Sequence, residues 1–297
     1  MSETVSFTLA VLSLGSLYAL MALGLVLVYG ILRLVNFAYG ELIMIAGYTL
    51  YMLNGSPLPW FVMAVLAVIA ATVASVLTER IAFRPIRETS LTAMLITSFA
   101  VSTLFQNAAL LLISPRARVV PLPDLFSQNI VIGSVLIHIR DVLAIMVTFV
   151  MLALLTLLLN RTVLGIALRA AADNLRMTRL LGIPANLVIS TAFAISGVLA
   201  GTVALFWLGR TASVTPGIGL EPLIVAFVAT VLGGLNSLVG AVVGGYALAL
   251  MTVGINTFLP QAFVDYRQAF TFALVIVILL IRPEGLIRSK AASANRV

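Results

Sequence analysis

VSFTLAVLSLGSLYALMALGLVLVYG, residues 5–30, runs for 26 residues without one charge. About 20 mostly apolar residues suffice to carry a helix across a bilayer, so this run decides the class of fold. Runs of the same kind recur at 36–53, 59–78, 91–113, 141–159, 188–209, 222–234, 238–258 and 269–281. Three of them, 36–53, 222–234 and 269–281, are short or interrupted by glycine. The expectation is an all-α, polytopic transmembrane helical bundle of about 8–9 spans with one or more broken or half helices. It forms a single domain over 1–297. Met1 to Phe7 carries one acid and no base, unlike the positive leader of a signal peptide, so the first run is expected to be retained.

Composition agrees with that class. The 297 residues are 62% hydrophobic and 9% charged, with a mean hydropathy of +1.19. A soluble domain carries about 25% charged residues to face water, so a soluble globular enzyme is excluded. Cysteine is absent, which excludes disulfides, thiolate metal sites, iron–sulfur clusters and a cysteine nucleophile. Of the 17 basic residues, Lys290 is the lone lysine. A P-loop needs the lysine of GxxxxGK[ST] to reach nucleotide phosphates, and no such motif occurs. HExxH and GxSxG are missing too, no carboxylate pair suits hydrolysis, and His138 has no second histidine at ligand spacing. No catalytic, cofactor or metal site is expected, and the chain is not expected to be an enzyme.

The basic residues instead report orientation, since they favour the cytoplasmic side of a membrane. Arg33, Arg80, Arg84, Arg87, Arg161, Arg169, Arg176, Arg179, Arg282, Arg288, Lys290 and Arg296 fall on one face. Arg116, Arg118, Arg140, Arg210 and Arg267 fall on the other. Nine alternating spans fit that split with the N-terminus out and the C-terminus in. If 36–53 enters and returns, eight spans place both termini inside. Scattered through short loops, these arginines do not form a nucleic-acid footprint, and membrane lipid is the expected surrounding.

One of the basic loops is long. Residues 160–187 are too polar to cross and contain GIALRAAADNLRMTRLLGIP, residues 165–184. Alanine and leucine favour a helix, and Gly182 followed by Pro184 stops it. Arg169, Asp173, Arg176 and Leu180 recur at i, i+4, i+7 and i+11 on one face, with Leu168, Ala172, Leu175 and Met177 supplying apolar surface nearby. Two readings stand: an interfacial helix on anionic headgroups, or a docking helix for a cytoplasmic partner.

Three blocks then share a resemblance. LRAAADNLRMTRLLGI (168–183), GLVLVYGILRLVNFAYGELIMIAGY (24–48) and GGLNSLVGAVVGG (233–245) resemble the permeases of branched-chain amino acid ABC importers, in the family's order. The resemblance implies one of two membrane subunits of a bacterial inner-membrane importer. It further implies separate cytoplasmic ABC ATPase subunits that bind the ATP, a second permease subunit (sister or identical), and a periplasmic or lipid-anchored substrate-binding protein docking near 114–139 and 210–221. It makes 160–187 the coupling loop, with Arg169, Asp173, Asn174, Arg176, Met177, Arg179, Leu180 and Gly182 at the ATPase contact. Permeases of amide or urea importers are similar and form the first alternative. The rival of another class is a self-sufficient ion-coupled secondary carrier.

That rival requires an essential carboxylate inside the membrane, for which Glu41 is the candidate. The simpler reading, which we prefer, places Glu41 at the cytoplasmic interface beside Arg33. The other makes 36–53 a half helix broken at Gly40, with Asn36, Gly40 and Glu41 lining a cavity. Ser98, Ser102 and Gln106 repeat at i, i+4 and i+8 as a polar stripe, either interhelical glue or the wall of a pathway. Glu221 is expected in an outer loop. Gly197-x-x-x-Gly201 and Gly240-x-x-x-Gly244 set small residues on one helical face for close packing. Asn36-x-x-x-Gly40 and Asn236-x-x-x-Gly240 match too weakly to establish a duplication.

Overall fold

The computed structural model describes residues 2–287, apart from positions 121, 124, 125, 127, 133, 134, 236, 261, 262, 264, 265 and 284. Arg288, Lys290, Arg296 and Asn236 therefore lie outside the described residues. The helices are α1 (Ser2–Leu32), α2 (Tyr39–Leu53), α3 (Trp60–Leu77), α4 (Leu91–Leu112), α5 (Ile139–Arg161), α6 (Val163–Leu180), α7 (Ala185–Thr211), α8 (Leu220–Gly233), α9 (Leu238–Phe258) and α10 (Arg267–Ile281). A π-helical turn, Thr78–Phe83, and a last turn, Arg84–Ile86, prolong α3. Two short antiparallel ribbons complete the fold: β1 (Arg118–Val119) with β4 (Ser213–Val214), and β2 (Asn129–Ile132) with β3 (Val135–His138).

Among the described residues, six helices are long and apolar enough to cross a membrane: α1, α3 with its extension, α4, α5, α7 and α9. That is fewer than the eight or nine spans expected. The difference lies in the three short runs, where α2, α8 and α10 have 15, 14 and 15 residues. At about 1.5 Å per residue such helices fall short of a hydrocarbon layer of about 30 Å. The expected class of fold stands, half helices included.

Burial sorts the bundle into a centre and a rim. Of the apolar stretch able to span a membrane, 83% is buried in α1 and 67% in α7, against 17–33% in α3, α4, α5 and α9. A helix apolar all round is a core helix or faces lipid, and both kinds occur here. Small residues permit the central contacts. A side chain at Gly197 or Gly201 of α7 would strike the backbone of Thr72 or Val68 in α3, so these two helices touch without intervening side chains.

Six of the described arginines make contacts at one end of the bundle or the other. At one end, here called the basic end, Arg33 donates to Ala172 O at 2.9 Å, Arg179 to Glu88 at 2.8 Å, and Arg87 to Asn186. At the far end, Arg210 pairs with Asp141 at 3.1 Å and Arg140 donates to Gly209 O at 3.1 Å. Arg118 lies over the Tyr51 ring.

Candidate functional site

α1 ends at the basic end with Arg33 in a left-handed conformation, φ 54°. The chain then turns back into the bundle. Asn36 is 3% exposed and its Oδ1 accepts from Ala38 N at 3.1 Å. Ser98 Oγ, on α4, accepts from Phe37 N at 2.6 Å, and Phe37 stacks on Phe99. These contacts satisfy backbone groups that no helix or water would satisfy in the interior. Helix α2 therefore starts inside the protein and runs to the far end, where Gly47 meets Leu208 and Val214. It does not return to the basic end, which removes the eight-span alternative.

Glu41, in the first turn of α2, is 1% exposed. Its Oε1 accepts from Ser102 Oγ at 2.9 Å and from Gln106 Nε2 at 2.7 Å, near the middle of α4. Oε2 is buried without a partner. The interfacial placement beside Arg33 is thus corrected: the reversal at 33–38 carries Glu41 into the bundle while Arg33 turns to Ala172. Glu41, Ser98, Ser102 and Gln106 meet along the α2–α4 seam; Asn36 holds the reversal that leads into it, and Gly40 turns instead toward α8.

Sequence reading missed the partner of Gly40. A side chain there would collide with the backbone of Gly219, the residue just before α8, and one at Gly219 would collide with Gly40. Helix α8 runs the opposite way, to the basic end, where Leu286 N donates to Leu232 O at 2.8 Å. Two short helices thus start back to back and diverge, their positive dipole ends facing each other. Each carries an acid in its first turn, Glu41 and Glu221. Gln268 of α10 donates to Glu221 at 3.4 Å, so Glu221 belongs to a helix head and not to a loop. The only sequence signal was Gly217-Ile-Gly219 ahead of Leu220-Glu221-Pro222.

Helix α6 occupies the basic end. Thr162 caps it, accepting from Gly165 N at 3.0 Å, and Arg169 donates to Leu159 O and Asn160 Oδ1. The helix is not continuous. Asn174 is extended, φ −154° and ψ 98°, and its Oδ1 accepts from Met177 N at 3.0 Å, starting a second helical piece as an N-cap does. Arg169 and Asp173 therefore share a face, whereas Arg176 and Leu180 belong to the next piece; the single face expected from Arg169 to Leu180 is corrected. Leu180 and Leu181 are 75% and 73% exposed, and Met177 is exposed beside them. Gly182, φ 79°, ends the segment. Burial, then the neighbouring Arg179, pushes the Arg87 guanidinium below its ordinary pKa.

Between α1, α5, α6 and the α8–α9 turn lies a cavity of about 240 Å³, which Arg169 and Asp173 line together with Val26, Ile31, Leu159 and Leu168. At the far end, Ser13 Oγ donates to Asp141 at 2.7 Å and Arg210 donates to Ser13 at 2.8 Å, a cluster that sequence reading missed. His138 faces Asn129 across the β2–β3 ribbon.

Residues 7–279 match the family described as branched-chain amino acid transport system, permease component. The high-affinity branched-chain amino acid transport system permease protein BraD of Pseudomonas aeruginosa is 35% identical over 291 residues, with 93% of each chain covered. LivH of Escherichia coli K12, of the same description, is 34% identical over 289 residues, covering 93% of this chain and 92% of that one. A probable branched-chain amino acid transport permease protein LivH from Methanocaldococcus jannaschii is 29% identical over 284 residues, covering 92% and 89%.

Proposed function

Because the chain belongs to the branched-chain amino acid transport permease family, we propose that it is a membrane subunit of an ATP-driven importer of leucine, isoleucine or valine in a bacterial inner membrane. The observation that carries this reading is the family match over 7–279, which takes in both helix heads and the loop that holds α6. Cytoplasmic ATPase subunits bind and hydrolyse the ATP. A second permease subunit completes the pathway, and a substrate-binding protein delivers the amino acid at the far end.

In this reading 160–187 is the coupling segment. Arg169, Asp173, Asn174, Arg176, Met177, Arg179, Leu180 and Gly182 face the ATPase, with the exposed Met177 and Leu180 as apolar anchors of a helix-in-groove contact. The cap at Asn174 makes the segment two short levers joined at one residue. Contact with Arg33 and Glu88 gives those levers a hold on the end of α1 and on the turn before α4. ATP binding and release in the partners would then rock α4 relative to α2. Asn36, Gly40, Glu41, Ser98, Ser102 and Gln106 line the path thereby opened, and alternating access follows.

The experiment is reconstitution of the chain with its second permease, ATPases and binding protein in liposomes. ATP-dependent uptake of labelled leucine, isoleucine or valine is the expected result. Uptake of amides or urea in place of amino acids would move the chain to the neighbouring importer class. Uptake that persists without the ATPases would make it an ion-coupled carrier.

A further inference from the structure

Helix α2 turns one face to α4. Glu41, Met44, Ile45 and Tyr48 follow one another at i, i+3, i+4 and i+7, the spacing of one helical face. Opposite them on α4, Ser102 and Gln106 hold Glu41. Next along the seam toward the far end, a cavity of about 230 Å³ opens, lined by Met44, Ile45, Tyr48, Phe105 and Ala109 among others. Glu41 does not itself line this cavity; Ile45, one helical turn further along α2, does, so the apolar space begins about one turn beyond the buried carboxylate.

The carboxylate is incompletely served. Both hydrogen bonds go to Oε1, while Oε2 is buried and has no partner. Among the described residues no arginine or lysine forms an ion pair with Glu41; the two ion pairs are Arg179–Glu88 and Arg210–Asp141. Burying a carboxylate is unfavourable unless charge or hydrogen bonds compensate it. In membrane segments such groups mark the paths of cations or charged substrates. The helix dipole at the head of α2 gives Glu41 partial relief, but it leaves one oxygen bare.

The surroundings select among cations. Sodium gathers several oxygen ligands, and here one spare oxygen stands beside apolar walls. A lipid tail would suit the walls and leave both Glu41 Oε2 and the Tyr48 hydroxyl, also buried without a partner, unmatched. A small molecule with an ammonium group on a branched aliphatic body matches Glu41 Oε2 and the apolar walls together. Most of α4 faces away from the rest of the chain, with 17% of its apolar stretch buried, so few contacts hold it against α2.

Resting on the transport reading above, we infer that the α2–α4 seam is where this chain receives the amino acid in transit. The α-ammonium group contacts Glu41 Oε2 and the branched side chain enters the cavity beyond it. Glu41 is then the specificity-determining residue for the amino group, and Ser102 and Gln106 position it.

The test uses the full complex with its second permease, ATPases and binding protein in liposomes. Glu41→Gln keeps an oxygen that accepts from Ser102 and Gln106 and removes only the charge. The variant should assemble with normal subunit composition, and leucine uptake should fall by roughly ten-fold or more, the loss expected for a charge-assisted contact. Ala109→Leu fills the cavity and should lower leucine uptake several-fold in an assembled complex. Uptake by assembled Glu41→Gln within about two-fold of wild type overturns the inference, since no transition-state or binding contact was then lost. If Glu41→Gln does not assemble, Ala109→Leu decides alone, and normal uptake there means that a lipid tail or a neighbouring subunit fills the cavity. A wild-type complex that moves no branched-chain amino acid refutes the transport reading itself, a result separate from either variant.

Discussion

Gly40, in the first turn of α2, and Gly219, at the head of α8, lie backbone against backbone where two short helices start in opposite directions. Neither position has room for a β-carbon. The contact brings two positive helix ends together in a place where α2 also presents a buried acid. It is the joint around which a pathway between α2, α4 and α8 would have to move.

Replacing Gly40 by valine should therefore destabilise the protein by about 1–3 kcal/mol, the usual cost of forcing atoms into a packed core. The atoms in the way belong to Gly219 backbone, which cannot rotate aside, so the upper part of that range is expected. Gly30→Ala is the control, because a β-carbon there meets only Ala172 Cβ at 3.8 Å. Thermal unfolding of the detergent-solubilised protein compares the two. Equal melting temperatures would show that the α2–α8 contact is not tight.

The docking role proposed for α6 predicts that Arg176→Glu weakens recovery of ATPase subunits in a detergent pull-down and leaves the permease folded. Arg176 is exposed and its side chain makes no hydrogen bond or ion pair among the described residues, so little stability should be lost. Asn174→Ala probes the break. Loss of the cap to Met177 N costs about 1 kcal/mol, and alanine favours one continuous helix. Straightening the segment should reduce ATPase recovery although the exposed side chains are unchanged. Full recovery with both variants would remove α6 as the docking element.

These features differ in how far sequence could disclose them. Every apolar run corresponds to a helix, because a helix within a bilayer meets either lipid or other apolar helices and is apolar on both counts. The starts of α2 and α8 were harder to read. A helix that begins inside the protein has no charged flank, and only Asn36, Gly40 and Gly219 mark the places. The period of Ser98, Ser102 and Gln106 was visible, yet periodicity gives a face and not what the face meets. Glu41 was therefore assigned to the wrong neighbour. The break at Asn174 was obscured because asparagine is tolerated within helices, and Met177, three residues on, does not complete a capping box.

Two ion pairs of similar length should contribute differently to stability. Arg179–Glu88, at 2.8 Å, has side chains 38% and 68% exposed, whereas Arg210–Asp141 at 3.1 Å has 33% and 25%. An exposed pair contributes about 0–1 kcal/mol, so Glu88→Ala should barely shift the melting temperature. Asp141 also accepts from Ser13, which is fully buried on α1, and its loss strands two donors. Asp141→Ala should thus destabilise more than Glu88→Ala. The reverse order in thermal melts would mean that the far-end cluster is solvated and not part of the packed bundle.

The orientation of the chain can be checked on the protein as it stands, because it has no cysteine and an introduced thiol is then the only maleimide target within it, read on the chain after purification. Leu181→Cys lies at the basic end, in the exposed segment after α6, and Ala117→Cys lies at the far end, beside the β1–β4 ribbon. Basic loops stay on the cytoplasmic side because moving arginine across the membrane is costly. In intact cells with a permeabilised outer layer, a membrane-impermeant maleimide should label Ala117→Cys and spare Leu181→Cys until the inner membrane is disrupted. In inside-out vesicles the pattern should invert. Labelling of Leu181→Cys from outside would place α6 away from the ATP-bearing compartment, and no cytoplasmic ATPase could then dock on it.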